Sequence, residues 1–121
     1  MIVAGFGFRA SADVAGLEAA LASAQQGVPR VTALAVPDDK HALAARLAEA
    51  LHLPLILVDA AALRAAVPVT CSAASLAARG TGSVAEAAAL AAAGPGARLL
   101  TIRHISPDRS ATCASAEGFA A

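Results

Sequence analysis

Six residues near the amino terminus, Gly5-Phe6-Gly7-Phe8-Arg9-Ala10, have the spacing of a G-x-G-x-x-G/A turn behind a short apolar run. In dinucleotide-binding domains that spacing lets the amides of a helix start approach a pyrophosphate. Two parts of the motif are displaced here. The helix signal waits until Ser11, and the acidic ribose partner, due about 20 residues further on, has only Asp38 and Asp39 as candidates, later in the chain and placed as helix caps. The same glycines also suit a backbone turn with positive φ at a strand end. A second candidate is Lys40, the only lysine among nine basic residues, at a strand-to-helix junction. A compact ammonium there is either a solvated helix-start residue or a point-charge donor to a carboxylate or phosphate at the carboxyl edge of a sheet. A third is Thr81-Gly82-Ser83, which opens a helix and suits an anion. Ser83-Val-Ala-Glu86 is also a capping box, in which the serine caps the helix and the glutamate reaches back to the serine amide. That role accounts for Glu86 without any catalysis.

Several other chemistries are excluded. There is no phosphate-binding G-x-x-x-x-G-K-[ST] and no G-x-S-x-G nucleophile elbow, and Ser72, Ser75 and Ser83 have no base visible in the sequence. His41, His52 and His104 form neither a helical i, i+4 pair nor an H-E-x-x-H, so no metal site is expected. Cys71 and Cys113 lie far apart and form no C-x-x-C; both are expected to be reduced, buried thiols. Nine acidic residues cancel the nine basic ones, which removes the broad electrostatic footprint of a nucleic-acid binder. Three Phe with no Trp or Tyr leave no platform for stacking bases. Hydrophobic residues make up 58% of the chain, yet charged residues, Pro and Gly interrupt every run before the roughly 18 residues a membrane span needs. No basic segment precedes an apolar one at the start, so a soluble, cytoplasmic protein without a secretory signal is expected.

These residues must be positioned by the elements around them. The 121 residues suffice for one domain, spanning 1–121. Strand, helix, strand, helix, strand, helix, then a Gly-bearing loop, a helix and a hairpin make up the order of patterns. That order predicts a single three-layer α/β/α domain with a mixed, mostly parallel sheet ending in an antiparallel hairpin. MIVAGF is the first strand; Ser11 caps a helix carrying Val14, Leu17 and Leu21 that stops near Gly27 and Pro29. RVTALAV (30–36) is the second strand. PDDK turns into a helix whose Leu43, Leu47 and Leu51 form a core-facing stripe. LPLILV (53–58) is expected to be covered on both faces, and Asp59 caps a short helix ended by Pro68. Ser72 opens a further short helix to Arg79, the helix from Ser83 ends at the GPG after Ala93, and strands 98–104 and 110–116 form the hairpin, adding an antiparallel edge.

Taken together, GFGFR, LAVPDDKHALAARLAEALHLPL, RGTGSVAEAAALAAAG and the closing SATCASA resemble the carboxyl-terminal domain of the CbiG family and its free-standing form, CobE, of cobalamin biosynthesis. The resemblance covers essentially the whole chain, and GTGSVAEAAAL is its most specific segment. The chain departs from the family at Phe8, where Cys is common, at Ala35-Val36 in place of Ala-Thr, and at Arg103 or His104 in place of a lysine. The resemblance implies a role in making the corrin ring: binding or carrying a corrin or precorrin intermediate, in the company of other enzymes of that pathway. Full-length relatives open a precorrin lactone, which makes a lactone hydrolase using Lys40 or Glu86 the enzymatic alternative, and a dinucleotide-binding module the second one. No resident cofactor is expected. A corrinoid has an apolar ring fringed by carboxylates. Gly5, Phe6, Gly7, Phe8, Arg9, Lys40, Thr81, Gly82 and Ser83 are the residues expected to meet it.

Overall fold

The fold was taken from a computed structural model, which describes residues 1–9, 12–27, 30–65, 84–94, 97–107 and 109–118. The side chains of Lys40, Arg64 and Ala65 lie outside that description, as do Ser11, Cys71, the expected helix from Ser72 to Arg79 and the 81–83 segment. Along the described chain run β1 (Ile2–Phe8), α1 (Val14–Ala24), β2 (Ala33–Pro37), a 3-10 turn (Asp38–Lys40), α2 (His41–Leu51), β3 (Leu55–Val58), α3 (Ala60–Ala65), α4 (Val84–Ala93), β4 (Arg98–Ile105) and β5 (Ala111–Glu117). The strands form one five-stranded sheet in the order β3-β2-β1-β5-β4. β1 pairs with β2, and β2 with β3, in parallel; β5 pairs with β1 and with β4 antiparallel. The sheet is therefore mixed, with its junctions divided evenly between the two senses.

Helices cover both faces. Ile2, Ala4 and Phe6 of β1 join Leu34, Val36 and Cys113 beneath Leu17 and Leu21 of α1 and Leu47 of α2. The alternate set, Val3 with Ala33, Ala35 and Ala116, lies beneath Leu63 of α3 and Ala87–Ala89 of α4. Alternation along each strand sorts one sequence into two apolar layers.

Three expectations are corrected by this arrangement. The hairpin does not simply add an edge: β5 is an interior strand, in register with β1 from Ile2↔Glu117 to Phe8↔Ala111, and β4 takes the edge. Composition explains the choice, because Ala111, Cys113, Ala114, Ser115 and Ala116 are all buried, as small side chains between two helical layers must be, while β4 carries Arg98 and Arg103. β3, expected to be covered on both faces, is the opposite edge, and its Leu57 is 51% exposed. Leu51 of the predicted leucine stripe is likewise exposed; Ala44, Leu47 and Ala48 form the buried face of α2. Successive leucines four apart advance about 40° beyond a full helical turn each time, so the third leaves the core.

Helix starts follow local chemistry. Asp13, not Ser11, caps α1: its extended backbone (φ −126°) lets Oδ1 accept the Gly16 amide at 2.8 Å. Asp59 caps α3 as expected, accepting the Ala62 amide at 2.7 Å. Gly94, with φ of 96°, leaves α4 through the left-handed region at the expected stop.

Cys113 is a free thiol sealed in the core, and burial pushes its ionisation well above the usual thiol range. An unfolded chain releases that proton near pH about 8.5, whereas the folded chain holds it. Stability from this group is thus complete below that pH and falls at up to about 1.4 kcal/mol per pH unit above it. Urea unfolding at pH 8 and pH 10 is expected to show this loss in the parent and less of it in Cys113→Ala. Equal losses in both would mean the thiol is not shielded.

Candidate functional site

β1 and β2 run in parallel and end together, so Phe8, Arg9 and the 3-10 turn arrive at the same carboxyl edge of the sheet. Between them is an open depression of about 320 Å³ lined by Phe8, Arg9, Ala12, Asp39, His41, Ala42 and Leu43. Phe8 is half-buried, its inner side packed on the α1–α2 core. The Arg9 backbone is held from both directions: its amide donates to Ser110 O at 2.8 Å and its carbonyl accepts the Ala12 amide at 3.0 Å. The Arg9 side chain is exposed, and among the described residues no ion pair to it is formed. An exposed guanidinium on an anchored backbone can donate two parallel N–H bonds to a carboxylate or a single one to a carbonyl. His41 faces the same depression, with Nδ1 3.4 Å from the Asp38 carbonyl oxygen.

The glycines have a different task from the one their spacing suggested. Gly5 and Gly7 are in the body of β1, paired with Ala114 and Thr112 of β5, and form no turn. Positive φ among the described glycines belongs to Gly27 and Gly94 alone. A Cβ on Gly5 would meet the backbone of α4 at the Ala85 carbonyl and the Ala89 amide, and one on Gly118 would meet the Ala93 carbonyl. Ala85, Ala89 and Ala93 recur every four residues, so one face of α4 lies directly on sheet backbone at these two glycines. At Gly7 a Cβ would sit 3.1 Å from Thr112 Oγ1 and 3.3 Å from Val84 Cβ. That contact brings the first turn of α4 to the carboxyl end of β1. The dinucleotide fingerprint needs its glycines in the strand-to-helix turn. Here they are in the strand, and that geometry is not formed.

Of the other residues expected at the site, Phe6 is fully enclosed in the core and offers no floor to a ligand. Glu86 is also fully buried. Its Oε2 accepts the Arg103 amide at 3.1 Å, at a point where β4 slips against β5 between Thr101 and His104. Three steps along β4 are matched by two along β5 there, which is a β-bulge. Glu86 therefore secures β4 from the helix side. The capping box falls on Ser83, and Thr81 and Gly82 with it, outside the described residues. Lys40 is the last residue of the 3-10 turn, between Asp39 and His41, which both line the depression with Arg9.

Asp39 and His41, which line the depression, do not stand out in the sequence, because one has the pattern of a helix cap and the other of a surface histidine. The available signal was adjacency: both flank Lys40 at the junction already marked for its charge. Among the described residues no group of His, Cys, Asp and Glu could hold a metal ion, and no helix is long and apolar enough to cross a membrane.

Residues 2–116 match the family described as cobalamin synthesis G C-terminus. The crystal structure of CobE, a protein from the cobalamin (vitamin B12) biosynthetic pathway, is similar to this chain with a TM-score of 0.84 and 32% identity, over 96% of this chain and 89% of that one. Cobalamin biosynthesis protein chiG from Agrobacterium tumefaciens str. C58 is similar with a TM-score of 0.76 and 34% identity, over 99% of this chain and 100% of that one. A cobalamin biosynthesis protein G homologue from Sulfolobus solfataricus shares the fold, with a TM-score of 0.72 at 16% identity over 95% of this chain and 36% of that one. No curated protein matches the chain.

Proposed function

This chain belongs to the cobalamin synthesis G C-terminus family, and on that premise we propose that it binds a corrin or precorrin intermediate at the carboxyl edge of β1 and β2, holding it without independent catalysis. The observation that supports this most is the meeting of Phe8, Arg9 and the Lys40 turn around one open depression. An apolar ring edge has Phe8 and Leu43 to lie against, and a peripheral carboxylate has the Arg9 guanidinium. At about 320 Å³ the depression is at the small end of ligand pockets. It seats one arm of a large macrocycle, whose remainder stays open to the next enzyme of the pathway. The lactone-hydrolase alternative is less well supported, since Glu86, its candidate base, is enclosed and accepts the Arg103 amide.

Titration of the protein with hydrogenobyrinic acid is expected to shift the Soret-region absorbance and retain pigment on gel filtration. Arg9→Ala is expected to weaken binding about tenfold, the low end for a charge-assisted hydrogen bond at an exposed site. No spectral shift and no retained pigment with the parent protein, for hydrogenobyrinic acid and for its amidated form alike, would reject the proposal.

A further inference from the structure

The depression is not the purely basic pocket that a polycarboxylate would call for. Arg9 and Asp39 both line it, so a cation and a carboxylate flank one open depression. A carboxylate entering it meets attraction from one and repulsion from the other. A primary amide satisfies both, because its carbonyl oxygen accepts from the guanidinium while its NH₂ donates to the Asp39 carboxylate. Asp39 already has a bonding partner, but an ionised carboxylate has about four lone-pair sites and takes further donors. We infer that Arg9 and Asp39 form a subsite for a primary amide, so that the protein distinguishes an amidated corrinoid arm from the free acid. This rests on the corrinoid-binding reading and goes beyond it by assigning selectivity to a named pair. Rejection of the free acid comes from Asp39 and affinity for either form from Arg9. The Phe8 ring and Leu43 add apolar contact that both forms share.

The test is a double comparison: parent and Asp39→Ala proteins, each titrated with hydrogenobyrinic acid and with the same compound after conversion of its carboxyl arms to primary amides. Asp39 is exposed, so the substitution leaves the core untouched, and a circular-dichroism melt confirms folding. In Asp39→Ala the amide is expected to bind about tenfold more weakly than in the parent. The free acid should bind the variant more tightly than the parent. The opposite signs matter, since removal of a negative charge alone strengthens the acid without weakening the amide. An unchanged amide affinity in Asp39→Ala overturns the subsite while leaving corrinoid binding intact. Failure of the parent protein to bind either compound overturns both.

Discussion

Gly5→Ala is expected to lower the unfolding free energy by about 3 kcal/mol or more, the upper range for overpacking a core. The added methyl has nowhere to go: it would enter the backbone of α4 at Ala85 and Ala89, and a helix backbone does not rotate aside as a side chain does. Relief requires α4 to lift off β1, which also opens the layer of Val3, Ala35 and Ala88. Gly7→Ala is the control. Its methyl meets Thr112 Oγ1 at 3.1 Å and Val84 Cβ at 3.3 Å, contacts a few tenths of an ångström too close rather than the overlap with helix backbone met at Gly5. Its expected cost is about 1 kcal/mol. Urea unfolding of the two variants beside the parent decides the matter, and a Gly5→Ala protein no less stable than Gly7→Ala would show that α4 does not lie so close.

Glu86→Ala is expected to cost about 3 kcal/mol, the top of the range for leaving a buried hydrogen-bonding group without its partner. The substitution leaves the Arg103 amide without its acceptor at a bulge where the strand ladder supplies no substitute. Glu86→Gln keeps a carbonyl oxygen in reach and should cost about 1 kcal/mol. Hydrogen exchange provides a local readout: the Arg103 amide should lose protection in Glu86→Ala ahead of neighbouring β5 amides. Retained protection with a stability change below about 0.5 kcal/mol would remove Glu86 from this role. A corrinoid titration of Glu86→Gln then separates structure from chemistry, because a residue that secures β4 leaves ligand affinity unchanged when the fold is kept.

Local pattern carried much of the fold. Short apolar runs marked the strands to within a few residues, Asp59 and the GPG punctuation marked helix ends, and the hairpin strands at 98–104 and 110–116 lie within one residue of β4 and β5. Errors of position came where two neighbouring residues offered the same chemistry. Ser11 and Asp13 are both capping types, and the one next to the first helical residue takes the role. The candidate site was legible in part: Arg9 and the Lys40 junction, singled out by their charge and place at strand ends, arrive at the same edge of the sheet. Phe6 was misplaced because alternation along β1 turns it to the α1–α2 core while Phe8, two residues on, reaches the end of the strand on the same face. Glu86 was identified by a pattern that explains its helix position but says nothing of a strand amide 17 residues later.

By itself, then, the sequence determined the α/β class, the order of elements and, through its resemblance, the cobalamin-pathway family. These depend on periodicity, caps and motifs, which are properties of neighbours along the chain. Only the tertiary structure decided that Gly5 makes room for α4 rather than for a phosphate, that β5 enters the sheet and β4 takes the edge, and that Arg9 shares its depression with Asp39. Each of those facts is a distance between segments remote in sequence. It is set by which small side chains let two backbones close, and no local pattern encodes it.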